Sequence, residues 1–236
     1  MIGKTRNRLL NFLPEASRER ILSVLEPVDL PKNFKMGTTD EVMEYVYFMS
    51  SGIGSVALRS DKGVSTEAGM FGSEGFSPTA VAVGGVRSSY DIIVQAEGSG
   101  HRITANAFRT LMKTDYSLCD TLMRYIYVFA LQASYTAHSN ALDKIDKRLA
   151  RWILMCHDRV QTGTINLTHE YLALMLGIRR PSVTTSLHVL EGYHLIRSER
   201  GVITVRDRKG LEEYAGSSYG GAEKEYDLLF YKEMKN

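Results

Sequence analysis

A run of cationic and short polar side chains between residues 179 and 188 has the composition of a surface that reads DNA. The run contains Arg179, Arg180, Ser182, Thr184, Thr185, Ser186 and His188. An arginine can donate two hydrogen bonds to a guanine, and hydroxyl groups can reach base edges or phosphate oxygens. We therefore expect these residues to lie along a helix that enters the major groove. The alternative interpretation is a plain helical hairpin in an unrelated fold.

Two short amphipathic helices separated by a tight turn are predicted to position these side chains. Ala173 stands where two helices must approach closely, and Gly177, four residues later, suits a turn with an unusual backbone conformation. Val183, six residues further, is expected to pack the second helix against the first. Four apolar residues complete the predicted core: Leu172, Leu176, Ile178 and Leu187. This pattern is typical of a DNA-binding helix-turn-helix.

A β-hairpin is predicted directly after the second helix. Its strands are Leu195–Arg197 and Val202–Arg206, and a turn that contains glycine joins them. Such a hairpin forms a wing beside the helices, from which Arg197 and Arg200 can contact the DNA backbone. Thr168, which precedes the first helix, is also assigned to the predicted DNA interface.

Composition and charge agree with a globular protein that binds phosphate. The 236 residues are 44% hydrophobic and 24% charged, which excludes a disordered chain. Residues 144–215 carry 12 Lys and Arg against 8 Asp and Glu, while the rest of the chain is slightly negative. The positive excess thus falls on the segment with the helix-turn-helix.

The sequence suggests neither a metal site nor a membrane segment. Cys119 and Cys156 lie in apolar helical patterns, so we expect two buried free thiols, no metal and no cofactor. The longest uncharged stretch, 125–137, is too short and polar to span a bilayer, and no signal peptide is evident. A cytoplasmic location without membrane contact is predicted.

The N-terminal half is predicted to be an antiparallel sandwich or jelly-roll barrel. Short helices in residues 7–25, interrupted at Pro14, precede a stretch in which glycines recur. The strand segments between those glycines are Tyr45–Met49, Ser55–Arg59, Thr79–Val83 and Ser89–Gln95.

Helices are predicted to connect the barrel to the helix-turn-helix. After a short helix at 105–113, residues 115–140 form one long helix with two neighbouring apolar stripes. We assign Leu118, Leu122, Ile126, Phe129 and Ala133 to a dimer interface; the alternative is one wide core face within the chain. A further helix at 143–160 should expose its Lys144, Lys147, Arg148 and Arg151. The segment after Gly216 is expected to be a linker that ends in a short amphipathic piece, which docks on the rest of the protein.

The order of barrel, long helix and winged helix-turn-helix resembles the Crp/Fnr family of bacterial transcription regulators. The likeness rests on residues 167–195 with the hairpin after them, and on the Tyr47–Leu58 segment YFMSSGIGSVAL. It implies an α+β fold with a cyclic-nucleotide-binding-like sensor domain at 1–114, a dimerisation helix at 115–142, the DNA-binding domain at 143–215 and a tail at 216–236. It also implies a homodimer on a palindromic operator, with RNA polymerase and a small-molecule effector as further partners.

The sequence departs from the cyclic-AMP-binding members of that family. Their cassette resembles Gly-Glu-Leu-Gly-Leu followed by Arg-Ser-Ala, whereas this chain has Gly72, Ser73 and Glu74, then Arg87 and Ser88 after a longer loop. These five residues are the candidate effector pocket. Because Ser73 replaces the carboxylate that holds the ribose, we expect an effector other than cyclic AMP.

The recognition helix also departs from an arrangement found in several members. Where they carry Arg-Glu-x-x-x-Arg, this chain has Arg180, Pro181 and Thr185, which predicts a different operator.

Two other functions are considered. One is a small-molecule-binding module that acts through protein contacts without specific DNA binding. The other is an enzyme that uses Asp91, Glu97 and His101, which is disfavoured because no paired nucleophile and base is present.

Overall fold

Two antiparallel sheets form the N-terminal part of the molecule. The computed structural model describes residues 5–60, 65–160 and 163–232. The strands are β1 (Glu26–Leu30), β2 (Lys35–Gly37), β3 (Tyr45–Met49), β4 (Ile53–Arg59), β5 (Ser65–Phe71), β6 (Asp91–Ala96) and β7 (Gly98–Thr104). One sheet has the order β1-β7-β3 and the other β2-β6-β4-β5. A core that includes Met49, Phe71 and Val94 lies between them, which confirms the predicted barrel.

The predicted strand at Thr79–Val83 is wrong, because these residues form a 3₁₀ helix. Pro78 precedes the helix, and Gly84 ends it with a φ of 89°. A short apolar run can pack as a strand or as one helical turn, and periodicity alone does not separate them. Here the helix buries Val81 against the face of the barrel that the long helix also covers.

Helices cover that face of the barrel. A 3₁₀ turn at Leu9–Phe12 and α1 (Glu15–Leu22) precede the strands, and α2 (Ala105–Thr114) and α3 (Tyr116–Leu142) follow them. Asp115 begins α3: its carboxylate accepts from the Leu118 amide at 3.1 Å and pairs with Arg20 at 2.6 Å. The backbone amide, Ser17 and Arg20 together hold the pKa of Asp115 below its usual value, despite partial burial.

The C-terminal part contains the predicted winged helix-turn-helix. Its elements are α4 (Ile145–His157), β8 (Thr164–Asn166), α5 (His169–Leu176), α6 (Arg180–Gly192), β9 (Ile196–Glu199), β10 (Val202–Val205) and α7 (Arg208–Ala215). The three strands pair in the order β8-β10-β9. Their core also includes Ile53 and Met70 of the barrel. The helix-turn-helix is therefore packed against the barrel.

The segment after residue 215 is ordered and packed rather than linker-like. A 3₁₀ turn at Gly216–Ser218 leads into α8 (Gly221–Asp227) and a final turn at Leu228–Lys232. We call residues 216–232 the tail. Gly221 allows the close approach of α8 to α3, because a Cβ atom there would lie 2.2 Å from the Tyr135 ring. The expected docking of the last piece agrees with the burial of Tyr226 and Phe230.

Arg151 contradicts its predicted position on the exposed face of α4. It is 6% exposed, and its guanidinium donates to the Ser218 carbonyl at 2.8 Å and the Gln132 carbonyl at 3.2 Å. The side chain therefore ties α4 to both the tail and α3. A buried arginine is stable here because backbone carbonyls accept its protons.

Candidate nucleic-acid interface and effector cavities

The turn between α5 and α6 has the geometry expected of a helix-turn-helix. Gly177 ends α5 with a φ of 63°, a left-handed conformation that residues with a Cβ atom rarely adopt. Val183 is fully buried and Ala173 is 8% exposed, so the two helices meet where the sequence predicted. Leu172, Leu176 and Leu187 are also buried, while Ile178 is partly buried against the same core.

The outer face of α6 is open to solvent. Arg179, Arg180, Thr185 and His188 are exposed, whereas Ser182 and Thr184 are partly covered. Ser186 is 5% exposed and points into the protein, so its predicted place on the polar face is wrong. Pro181 lies in the first turn of the helix, where its missing N–H costs nothing. The remaining side chains form one surface at helical spacing.

Contacts with α5 hold two of these side chains. Arg180 Nε lies 2.7 Å from Glu170 Oε1, and both side chains are exposed. His169 Nδ1 lies 3.0 Å from the Thr184 hydroxyl. The hydrogen bond from its own amide and the nearby Arg180 lower the pKa of Glu170, so this carboxylate stays ionised beside the arginine. Glu170 did not stand out in the sequence, because an isolated glutamate on a helix is usually a solvated charge.

The hairpin after α6 has a two-residue turn. Glu199 pairs with Val202, and Arg200 and Gly201 between them have φ values of 50° and 81°, as a type I′ turn requires. Arg197 Nη2 pairs with Glu199 at 2.6 Å, and Arg200 is exposed at the tip. The Ser198 amide donates to Glu191 of α6 at 2.7 Å, which fixes the wing relative to the helix.

Thr168 has a structural role at the start of α5. Its side chain accepts a hydrogen bond from the Tyr171 amide at 3.2 Å and thereby caps the helix. The residue is exposed, so the helix N-terminus beside it is open to an anion.

The five residues assigned to an effector pocket do not line one cavity. Arg87 is exposed and donates to the Asp40 carbonyl at 2.6 Å, and Ser88 Oγ donates to the Tyr90 carbonyl at 2.7 Å. Glu74 lies elsewhere and pairs with Arg159 at 2.7 Å. The prediction of one shared pocket was wrong because a longer loop separates the two sequence motifs. Each motif therefore packs against a different neighbour.

Two cavities flank α3. A cavity of about 330 Å³ lies between α3 and the barrel and is lined by Ser88, Ser89, Ile126, Phe129 and Ala133 among others. A second, of about 290 Å³, lies on the side of Glu74, Tyr125 and Arg159. Gly72, Ser73 and Arg87 line neither of the two.

The predicted dimer interface is only partly available. Leu118 and Leu122 are fully buried within the chain, where they pack in the cluster that joins α3 to the barrel, so they cannot contact a partner. Ile126, Phe129 and Ala133 are partly buried. Six exposed residues of α3 instead follow one another at steps of four and three: Met123, Tyr127, Ala130, Ser134, Ala137 and Ala141. The residues that form this row are called the α3 seam below.

A buried carboxyl group joins the barrel to α4. Glu67 of β5 accepts from Trp152 Nε1 at 2.9 Å and lies 2.5 Å from the Ser55 hydroxyl. Burial raises its pKa to about 7, although both hydrogen bonds oppose that shift. The sequence did not point to this residue, since a glutamate in a short strand is usually exposed.

Residues 5–60, 65–160 and 163–232 contain neither a cluster of metal-ligating side chains nor a membrane-spanning helix. No group of three or more His, Cys, Asp or Glu side chains there could hold a metal ion. None of the helices in that part of the chain is long and apolar enough to cross a bilayer. Both cysteines are free thiols; Cys156 is buried as predicted, but Cys119 is only partly buried.

Comparison with known proteins identifies one domain, at residues 147–214, and the overall fold. Residues 147–214 match the family of Crp-like helix-turn-helix domains, whereas no curated protein matches the chain. A Crp/Fnr family transcription regulator from Eubacterium rectale is similar in structure, with a TM-score of 0.64 and 20% identity, over 89% of this chain and 98% of that one. FixK2 from Bradyrhizobium japonicum has a TM-score of 0.68 and 15% identity over 82% and 98%. A Crp/Fnr family regulator from Thermus thermophilus has a TM-score of 0.66 and 20% identity over 82% and 100%.

Proposed function

The chain carries a Crp-like helix-turn-helix domain within a fold shared with Crp/Fnr regulators, and we propose that it binds a palindromic operator as a homodimer. The observation that carries the proposal is the open face of α6, on which Arg179, Arg180, Thr185 and His188 are exposed together. A helix with this face can enter the major groove of B-DNA. The similar structures from Eubacterium rectale and Thermus thermophilus are those of transcription regulators.

Base reading and backbone contact are assigned to different residues. Arg180 reads a guanine, for which it must exchange the exposed Glu170 carboxylate for the base. Thr185 and His188 face the same groove, with Ser182 and Thr184 at its edge. Arg197 and Arg200 of the wing, Arg179 and the α5 N-terminus at Thr168 hold the phosphates.

A second copy of the chain is proposed to pack along the α3 seam. Steps of four and three residues place one exposed row along a helix, as in a coiled coil. Met123 and Tyr127 are 41% and 53% exposed, and the remaining positions are small. Two such helices can therefore approach closely, with Ile126, Phe129 and Ala133 at the edges of the contact.

The domain division predicted from the sequence is part of the proposal, with one change. Residues 1–114 form the sensor domain, 115–142 the dimerisation helix and 143–215 the DNA-binding domain. The tail packs on α3 and closes the junction between the other units, as the contact of Tyr226 with the Glu74 carbonyl illustrates.

We also propose a cytoplasmic regulator that contacts RNA polymerase at its promoters.

An operator-binding assay tests the function. After the preferred sequence is selected from random DNA, Arg180→Ala should weaken operator binding by about 1–3 kcal/mol and relax the preference at one base pair in each half-site. Arg200→Ala should weaken all DNA alike and lower the salt dependence. Lys209→Ala, on the exposed face of α7, is the control. Unchanged operator preference in Arg180→Ala would refute the reading role, and absence of salt-dependent DNA binding would favour the protein-contact alternative.

We propose that the effector is not cyclic AMP. The phosphate of that ligand needs a free cation, but Arg87 is exposed and occupied by the Asp40 carbonyl. Its ribose needs an acceptor nearby, but Glu74 lies on the other cavity and is paired with Arg159. Calorimetry with cyclic AMP should show no binding at micromolar ligand. Micromolar binding that is abolished by Arg87→Ala would contradict the proposal.

A further inference from the structure

The cavity of about 290 Å³ beside Glu74 is built from several separate parts of the chain. The loop after β5, the middle of α3, the end of α4 and the tail contribute most of the wall, and Arg8 before the first helical turn and Arg208 of α7 complete it. Residues of these parts include Glu74, Tyr125, Gln132, Arg159, Tyr219 and Tyr226. The size suits a small molecule. The tail closes the cavity, because the Tyr226 hydroxyl donates to the Glu74 carbonyl at 3.0 Å.

Two buried polar atoms in this wall have no hydrogen-bond partner. Glu74 is 7% exposed; its Oε1 accepts from Arg159 and from the Gly72 amide, but Oε2 accepts from no group. Arg8 Nη2 forms an ion pair with Oε2 at 3.7 Å, a separation that is too long for a hydrogen bond. Tyr125 is 2% exposed, and its hydroxyl is also unpaired. Buried polar groups rarely remain unsatisfied, so a molecule that hydrogen-bonds in this cavity would account for both.

The charges of the wall favour a cation. Four carboxylates (Glu74, Asp158, Glu223 and Asp227) face three guanidinium groups (Arg8, Arg159 and Arg208). Arg159 is held by Glu74, and Arg208 is held by Asp158 at 2.6 Å and Glu212 at 2.8 Å. The excess acceptors lie on Glu74 and on the tail. Aromatic side chains at 125, 129, 219 and 226 supply the apolar part of the wall.

We propose that this cavity binds a small organic ammonium compound. The ammonium group donates to the free oxygen of Glu74 and to the Tyr125 hydroxyl, and the apolar body lies among the aromatic side chains. Aromatic rings and a carboxylate together recognise an ammonium ion through cation–π attraction and charge-assisted hydrogen bonds. Burial raises the pKa of Tyr125, so its hydroxyl remains neutral and available as an acceptor.

The same cavity can couple the ligand to DNA, a part of the inference that rests on the proposed function. Glu74 belongs to the sensor half, Asp158 and Arg159 follow α4, and Arg208 begins α7. A ligand that contacts all three parts stabilises the arrangement in which they meet. Operator affinity then changes by the factor by which the ligand binds this arrangement more tightly than the others. In coupled sites this factor is typically about fivefold or more.

Paired probes test the site without DNA. Ethylammonium, butylammonium and phenethylammonium are titrated calorimetrically into the full chain, each beside the neutral alcohol of the same shape. At least one ammonium ion should bind about tenfold or more tightly than its alcohol, because its hydrogen bonds are charge-assisted. Equal binding of each pair, or no heat from any probe at millimolar concentration, would show a cavity filled by water and would overturn the proposal.

Two variants locate the binding. Tyr125→Phe removes an unpaired hydroxyl, so the thermal midpoint should not fall, while ammonium binding should weaken about three- to tenfold. Tyr127→Phe, on the exposed side of the same helix, should leave binding unchanged. Asp227→Asn should weaken the ammonium probe and leave its alcohol unaffected. If neither Tyr125→Phe nor Asp227→Asn weakened binding, the ligand would lie elsewhere and the assignment would be refuted.

The DNA measurement is made separately on the same protein. A probe that binds as expected and changes operator affinity about fivefold or more supports the effector role. A probe that binds without that change retains the site and overturns its effector role. Failure of the chain to bind DNA at all would refute the proposed function, while the calorimetric result would still decide the ligand site.

Discussion

At the scale of single residues, the hydroxyl of Ser55 links two buried polar side chains, Glu67 and Gln95. The hydroxyl lies 2.5 Å from Glu67 Oε2 and 2.8 Å from Gln95 Oε1, yet it has only one proton to donate. A protonated Glu67 can donate to Ser55 while Ser55 donates to Gln95. Burial raises the pKa of Glu67 to about 7, which favours this neutral form. A neutral carboxyl group in this buried position avoids the cost of an unpaired charge.

This protonation makes stability depend on pH. The pKa of Glu67 is about 7 in the folded protein and 4.5 in an exposed glutamate. Between these values the unfolded chain ionises and the folded chain does not, so the free energy of unfolding falls as pH rises and is level above about 7. From pH 5 to pH 8 the wild type should lose about 2–3 kcal/mol more than Glu67→Gln, measured by urea unfolding. Parallel pH profiles of the two proteins would contradict this expectation.

How far single residues could be predicted depended on whether their neighbours are close in sequence. Gly177, Ala173 and Val183 are linked by helical spacing, and their roles follow from that spacing alone. Glu67 and Trp152 are 85 positions apart, so their pairing depends on how the two halves pack. The prediction that Arg87 and Glu74 share one pocket was wrong for the same reason, because the partner that each side chain contacts is distant in sequence.

At the scale of elements, the tail is the part that the sequence described least well. Glycines and serines at 216–221 are typical of a linker, but two of them serve close packing: Ser218 is 2% exposed and Gly221 lies against Tyr135. Small residues permit close contact as readily as they permit flexibility. Periodicity identified α3, α4, α5 and α6 because each is long enough to repeat its apolar face. The 3₁₀ helix at Thr79–Val83 is too short to repeat an apolar face.

The docking of the tail should contribute strongly to stability. Phe230 is 4% exposed, and its ring centroid lies 5.0 Å from Phe12 and 4.6 Å from Tyr226. Phe230→Ala should lower the free energy of unfolding by about 3–5 kcal/mol, the usual cost of a buried phenylalanine. Leu228→Ala, at a residue that is 43% exposed, should change it by about 0.5 kcal/mol or less. Urea unfolding measures both, and equal small effects would show that the tail is loosely held.

At the scale of the whole molecule, the order of barrel, long helix and winged domain followed from the sequence, but their mutual packing did not. The order depends on changes of hydrophobic period along the chain, from strands to helices. The packing depends on contacts such as Cys156 against Met70, whose sulfur atoms are 3.9 Å apart across the two halves. No local pattern encodes such a pair.

The α3 seam predicts the oligomeric state. Ala130 is exposed within one chain, so Ala130→Glu should fold normally yet place a charge between two copies, which costs several kcal/mol. Sedimentation at micromolar concentration should show a dimer for the wild type and for Ala130→Ser, and a monomer for Ala130→Glu. A monomeric wild type would refute the dimer.

The contact between the tail and the first helical turn also affects how the protein is made. Phe12 meets Phe230 and Tyr231 after more than 200 intervening residues, with ring centroids 5.0 and 4.9 Å apart. A ribosome delivers the first ring long before the last two, so this part of the core cannot be completed until the tail has been made. Contacts of such high separation close late because the connecting chain must first be ordered. In that interval the apolar face around Leu9 and Phe12 lacks its cover, and we expect chaperones to bind the nascent chain there.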